Sequence, residues 1–467
     1  MDVPRKLTPT PPAPTTAFLD LLTDTLGPGA VVVGHPTVVR PASTTEVAAA
    51  VRACAEHGVA MVPRGGDTGL SGGTQMPATR AAVVLSLDRL RTIESVDPER
   101  WTITAQAGVT IEALQEAAAA VDRKFAPDWG ARGTATIGGA IATDAGGNNV
   151  VRYGNLRDNV MGLEVVLADG RIWDGRRALR KDSSGYDLKQ LFIGAEGTLG
   201  VVTSAVLKLV PATPHEQSAL AAITDLDALM ALYALAHVHA PAILTAFELI
   251  PEVAIERVQR RYGVGHPIET RADHYMLVKL ASSEPVTDRL TALLAAADDA
   301  GLITDAVVAA TPEQESALWF LRDEIPPTRA FPEHHAHGVK LDTAVPIDHI
   351  CAFITRVHSL AARITPDALC YGFGHVGDGN IHMMILPTSD DHIPAFADAR
   401  PELRRAIDAL VFELGGTLSA EHGLGTLLRD RVEPQKPAIE WELMRTIKRS
   451  LDPDDLFNPE KTLPLPS

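Results

Sequence analysis

The stretch GFGHVGDGNIHMMIL, residues 372–386, carries two histidines on either side of a tight turn. His375 and His382 bracket Gly377-Asp378-Gly379-Asn380, so they stand on the two arms of one bend, where imidazoles can converge. Two converging imidazoles make half of a metal site. Further along, LSAEHGLG adds Glu421 and His422. Two histidines and one carboxylate leave coordination positions open, as a catalytic rather than a structural metal requires. Taken singly, each histidine reads as a hydrogen-bonded core residue; the pair around GDGN with Glu-His reads as a site. Such a set suits Zn²⁺, Mn²⁺ or Fe²⁺. Arg322 in ALWFLRDE and Lys340 in HGVKLD precede the cluster, and such residues can bind acids, one as a fork and the other as a point charge. Either alone reads more readily as a solvated or salt-bridged surface cation. His334, His335 and His337 read as an exposed loop.

A second kind of chemistry is written in glycine. PRGGDTGLSGG, residues 63–73, follows the apolar segment Val59-Ala60-Met61-Val62. Glycine admits positive φ and close backbone approach, so the run can turn its N–H groups onto an anion, most simply a diphosphate. It lacks the lysine of a P-loop and the spacing of GxGxxG. The long segment 125–155, FAPDWGARGTATIGGAIATDAGGNNVVRYGN, is rich in Gly, Ala and Thr with little helical periodicity. Small residues at this density let a backbone press on a flat ligand, with hydroxyls and amides as donors. Gly194, Gly197 and Gly200 form a further cluster that leads into a β-rich run ending at Pro211.

The elements that must hold these groups follow from periodicity. Ser43 with Glu46 predicts a capped helix over residues 44–56, followed by a strand at 59–62 and the glycine loop. Strands are expected at 82–87 and 102–107, a helix at 111–121, and a hairpin over 160–173 turning at Asp169-Gly170 with a type I′ signal. Beyond residue 211, helices at 225–239, 251–261, 286–300 and 312–324 alternate with strands at 243–249, 275–280, 303–308, 339–345 and 368–373. That pattern predicts an α+β layout with helices on one face of a sheet. A last helix is expected at 438–451.

With 467 residues the chain is long enough for two or three domains. A net charge of −17 argues against nucleic acid and gives no support to anionic membrane contact. Cys54, Cys351 and Cys370 are isolated, which fits a reducing, cytoplasmic setting and excludes a cysteine metal site. No apolar run has the length of a membrane span. Residues 1–29, opening with MDVPRKLTPTPPAPTT, read as a disordered lead. The remaining boundaries expected are 30–211, 212–424 and a returning tail at 425–467.

Together these motifs resemble the FAD-linked D-2-hydroxyacid dehydrogenases of the vanillyl-alcohol-oxidase superfamily, over roughly residues 30 to 465. PRGGDTGLSGG is similar to that family's diphosphate loop, and ATIGGAIATDAGG, RYGN and GLEVVLADG to its flavin-facing stretch. GHVGDGNIH, EHGLG and DPDDLFNPEK resemble its metal, base and C-terminal motifs. DSSGYDLKQLFIGAEGTLGVVT and Lys340 most resemble the D-2-hydroxyglutarate type. Pro326 and Met384 depart from it, standing where the family has Thr and Asn, and the segment between Arg322 and Lys340 is lengthened. D-lactate and glycolate therefore stay open as substrates. A metal hydrolase without flavin would leave both glycine-rich stretches without a role.

The resemblance implies a two-lobed α+β flavoprotein: an FAD lobe with the C-terminal tail, and a substrate lobe with a mostly antiparallel sheet. FAD would be contacted by Pro63, Arg64, Gly65, Gly66, Asp67, Thr68, Gly69 and Leu70. Gly108, Pro127, Asp128, Thr134, Thr136, Ile137, Gly138, Gly139, Ala142 and Thr143 would continue the site. Gly146, Gly147, Tyr153, Gly154, Glu196, Gly197, Gly200, Val201 and Asn458 would complete it. No histidine lies in 63–73, so the FAD is expected to be non-covalent. His375, His382 and Glu421 would hold a divalent metal, often zinc in the family. Arg322, Lys340, His375, Asn380 and His422 would bind substrate, with His422 as general base. Implied partners are a small anionic 2-hydroxyacid, an electron-acceptor protein or quinone, and, left open, a second copy in a homodimer.

Overall fold

The computed structural model describes residues 12–326 and 336–465. His334 and His335 lie outside the described residues. The chain forms two compact units. The central unit comprises Asn148–Arg152 and Thr213–Ala420; the N-terminal unit runs up to Gly147, resumes over Tyr153–Ala212 and takes in the chain from Glu421 onward.

In the N-terminal unit, strands Ala60–Arg64 and Ala82–Ser86 pair in parallel. The helix Thr44–His57 covers them, burying Val47, Val51 and Cys54. Ser43 Oγ accepts from the Glu46 N–H at 3.1 Å, and the Glu46 carboxylate reaches back to the Ala42 N–H at 2.8 Å, so the capping reading holds. The expected lead is partly wrong. Residues Thr16–Leu26 form a helix whose Phe18 and Leu22 are buried in this same core, an i, i+4 apolar pair masked by the Pro/Thr run before it.

A five-stranded antiparallel sheet stands beside it, in the order Ile93–Asp97, Thr102–Gln106, Val201–Lys208, Val160–Val166, Ile172–Asp174. Its last hairpin is not type I′. Gly170 has φ of 75° but Asp169 has no positive φ, and the Gly170 N–H bonds the Leu167 carbonyl at 2.9 Å. Leu167 N–H then bonds the Arg171 carbonyl, so the loop is a three-residue turn with glycine in the left-handed position.

The C-terminal tail is part of this unit's architecture. After the helix Ala438–Leu451, the Asp452 carboxylate accepts from the N–H groups of Leu456 and Phe457. Met61 N–H bonds the Leu456 carbonyl and Asn458 N–H bonds the Met61 carbonyl, so the tail pairs alongside the strand that feeds the glycine loop. Asn458 is thereby brought under that loop, its amide donating to the carbonyls of Gly73 and Glu196.

The central unit is built on a seven-stranded antiparallel sheet. Its order is Ile303–Val308, His215–Ile223, His274–Ser282, Leu244–Pro251, Ala368–His375, Asn380–Pro387, Val339–Ala344. Helices cover both faces, not one. Glu252–Tyr262 and Pro312–Asp323 pack on Leu277, Tyr371 and Phe373. Gly372 points the other way, toward Ile354 of the helix Ile350–Ile364. Every residue of Leu244–Pro251 is buried, as a strand covered on both sides must be. The helix Ile393–Glu413 was not expected, because Pro401 inside it interrupts the periodic reading.

Candidate active site

The glycine loop of the N-terminal unit lies directly on the Thr/Gly stretch. A Cβ added at Gly65 would overlap the Thr136 hydroxyl, and one at Gly66 the Thr134 carbonyl. Thr136 Oγ1 is itself buried without a hydrogen-bond partner, as is Asn458 Oδ1. By contrast, nothing lies within 4 Å of a Cβ at Gly69, where Asp67, Thr68, Gly69 and Leu70 form an exposed rim. Arg64 and Asp67 approach to 3.9 Å, and Asp67 accepts the Thr74 hydroxyl. Pro63 packs against Gly197.

The short helix Ile137–Thr143 is pinned beside the loop, with Ile137 N–H on the Val109 carbonyl and Gly138 N–H on that of Ala107. Gly139 lies near the Thr136 hydroxyl, and Thr143 bonds back to the carbonyls of Gly139 and Ala140. The Pro127 carbonyl and Asp128 carboxylate accept from Gln115, and Gly147 is pressed on the Asp128 carbonyl. Gly146 is half-buried, and the Tyr153 carbonyl takes the Asn159 amide just before Gly154 turns at φ 71°. Gly108 and Gly200 are small for packing reasons, being pressed on the Leu87 carbonyl and on Val165, while Val201 is buried at a strand start.

Glu196 is buried and accepts from the Leu424 and Gly425 N–H groups and the Thr462 hydroxyl. Burial nevertheless keeps its pKa above the ordinary carboxylate value. Its N–H is held by the Ala142 carbonyl. In the same unit, Glu421 accepts from the Gly147 N–H at 3.1 Å, His422 Nε2 lies 3.7 Å from Glu421, and the His422 carbonyl takes the Ser71 hydroxyl. A cradle that excludes Cβ atoms and holds an unsatisfied hydroxyl fits a diphosphate and a flat ring, so FAD suits the residues present.

In the central unit, register does the positioning. Across antiparallel strands, opposed residues share a face. Glu248 opposes His375, which opposes Asn380; one row on, Phe373, His382 and Asp342 align; next come Tyr371, Met384 and Lys340. The turn between the histidine strands closes at Gly379, φ 83°, a conformation a side chain would strain. The His375 and His382 rings meet edge to face with centroids 5.5 Å apart. Arg322 descends from its helix onto this face, 5.2 Å over Phe373.

Three groups interlock there. Glu248, 1% exposed, accepts from His375 Nδ1 at 2.6 Å and from Arg322 Nε at 2.7 Å. Arg322 Nη2 lies 3.3 Å from His375 Nε2. Burial alone would raise the Glu248 pKa, but its pairing with His375 and Arg322 outweighs it and holds the carboxyl at about 2. Asn380 donates to Asp342 Oδ1 at 3.0 Å, and Asp342 lies 3.9 Å from His382 Nδ1. Arg322, His375, His382, Asn380 and Lys340 thus share one sheet face, while Glu421 and His422 belong to the other unit. Two imidazoles at this spacing, one with its Nδ1 taken by a carboxylate, would suit a divalent cation.

Glu248 and Asp342 were not expected from sequence. The usable signal was one acid inside the buried apolar run LTAFELIP, which only a paired charge makes tolerable. His337 is half-buried rather than fully exposed.

Comparison with known proteins decides the family. Residues 36–176 match the FAD binding domain, and residues 212–462 match the C-terminal domain of FAD linked oxidases. The chain belongs to the FAD-linked oxidases. This oxidase is 36% identical over 427 residues to D-2-hydroxyglutarate dehydrogenase of Xanthomonas citri pv. viticola, covering 91% of this chain and 88% of that one. It is 35% identical over 434 residues to the mitochondrial D-2-hydroxyglutarate dehydrogenase of Danio rerio, covering 91% and 78%. Among solved structures, p-cresol methylhydroxylase with substrate bound superposes with TM-score 0.75 at 15% identity, covering 97% and 98%. Alkyldihydroxyacetonephosphate synthase does so with TM-score 0.72 at 17%, covering 97% and 87%. At such identities these two share the fold, that of the vanillyl-alcohol-oxidase type. The chain is an FAD-dependent dehydrogenase. Among the described residues no helix is long and apolar enough to cross a membrane.

Proposed function

We propose that this FAD-linked oxidase converts a D-2-hydroxyacid to the 2-oxo acid with a divalent metal, and that its substrate is D-2-hydroxyglutarate. The observation that carries the reading is the sheet face on which buried Arg322 and His375 stand with half-buried His382, a cation beside imidazoles. The likeness to D-2-hydroxyglutarate dehydrogenases over 91% of the chain supports the substrate. Bound FAD supplies the acceptor for the hydride leaving Cα. His375, His382 and Glu421 would hold the ion, with zinc proposed, which supplies Lewis acidity toward the substrate hydroxyl. His422 takes the hydroxyl proton at its ring nitrogen, and Arg322 and Lys340 bind carboxylate and orient the acid. Non-covalent FAD, a reducing cytoplasmic setting and an acceptor protein or quinone complete the proposal. The proposed FAD contacts are the small residues around Gly65, Gly66, Thr136 and Asn458.

A shorter substrate such as D-lactate or glycolate is the second reading. Met384 favours it, because it is buried on the same sheet face, directly across from Lys340, and offers a second carboxylate no hydrogen bond. The test is a panel of D-2-hydroxyacids with an artificial acceptor, before and after chelation and zinc readdition. Turnover should be highest on D-2-hydroxyglutarate and fall on chelation while flavin stays bound. Full activity in the chelated protein would overturn the metal assignment, and preference for lactate would give the second reading.

A further inference from the structure

We infer that Glu248 is a positioning residue of the substrate site, a single carboxylate that sets both the tautomer of His375 and the aim of Arg322; this rests on the reading above. Glu248 lies in the strand Leu244–Pro251, remote in sequence from both partners, and register alone brings it opposite His375. One oxygen takes the His375 Nδ1–H at 2.6 Å and the other the Arg322 Nε–H at 2.7 Å. An imidazole whose Nδ1 donates keeps its lone pair on Nε2, the nitrogen that lies 3.3 Å from Arg322 Nη2. Only a carboxylate serves both donors at once. An amide in its place presents one oxygen and one NH₂, so it must fail either the imidazole or the guanidinium. A full charge in a strand with every residue buried is expensive, and a fold-only role would be met as well by an apolar side chain. The expense is understandable where a histidine ring and an arginine must share one fixed geometry.

The consequence is that Glu248 acts on two separable quantities: which imidazole nitrogen carries the proton, and how well the acid substrate binds. The experiment compares wild type, Glu248→Gln and Glu248→Asp, all FAD-loaded, by three readouts. Selective ¹⁵N-histidine NMR of the metal-free protein, assigned with His375→Gln, reports the His375 tautomer. Chelator competition reports Zn²⁺ affinity, and steady-state kinetics separate KM from kcat. Wild type should show a protonated Nδ1. Glu248→Gln should lose that single tautomer or raise KM for the hydroxyacid, with Zn²⁺ affinity lower by about 10- to 100-fold. Glu248→Asp, which keeps the charge on a shorter arm, should recover the tautomer better than the amide does. If Glu248→Gln does not fold, Glu248→Asp decides through a raised KM or lowered Zn²⁺ affinity, since a shortened carboxylate must lengthen one of the two bonds. A native tautomer, KM and Zn²⁺ affinity in the folded variants would overturn the inference. If wild type turns over no hydroxyacid, the proposed function fails, but the NMR still tests the positioning claim.

Discussion

At the scale of single residues, adjacent positions carry different assignments. Glu421 accepts from the Gly147 N–H, the His422 carbonyl takes the Ser71 hydroxyl, and the two side chains are proposed as metal ligand and general base respectively. Replacing His422 with Ala should therefore preserve flavin and metal content yet slow turnover by about 10²- to 10⁴-fold, the usual worth of a general base. Replacing Glu421 with Ala should lower metal content as well as rate. Metal analysis beside kinetics checks both, and loss of metal from His422→Ala with retention in Glu421→Ala would exchange the two roles. GHVGDGNIH and EHGLG stand out in the sequence as motifs because their signal is local. Glu248 does not, because its pairing opposite His375 is supplied only by strand register.

Elements were legible to the extent that their causes were local. The Ser43 cap, the strand at Ala60–Arg64 and the helix Pro312–Asp323 follow from capping and periodicity. The second covered face of the seven-stranded sheet did not, since a fully buried strand loses the alternation that marks its sides. Lys461 is buried near Glu196, and burial lowers its pKa to about 8. Between that value and 10.5 the unfolded chain binds a proton that the folded chain has released, so stability rises with pH across the window. Below pH 8 the charged lysine costs the fold about 3 kcal/mol at most. Lys461→Met should flatten this rise. Denaturant midpoints of both proteins on either side of the window check it, and parallel curves would show that Lys461 is not responsible.

For the whole molecule, the N-terminal unit is proposed to carry the flavin cradle and the central unit a receptor for the acid's carboxylate and hydroxyl. Composition gave little of this; the joint presence of two unrelated glycine-rich stretches and a histidine-carboxylate set gave most of it. One enantiomer is expected to react, because the proposed carboxylate and hydroxyl contacts together with hydride loss toward the flavin would fix three directions about Cα. The direct measurement is anaerobic titration of the FAD-loaded protein with D- and L-2-hydroxyglutarate, followed by the flavin absorption band. Bleaching by the D acid, with 2-oxoglutarate formed in equal amount and no response to the L acid, is the predicted result. A flavin band unchanged by D-2-hydroxyglutarate and by every other D-2-hydroxyacid, or bleached equally by both enantiomers, would contradict it.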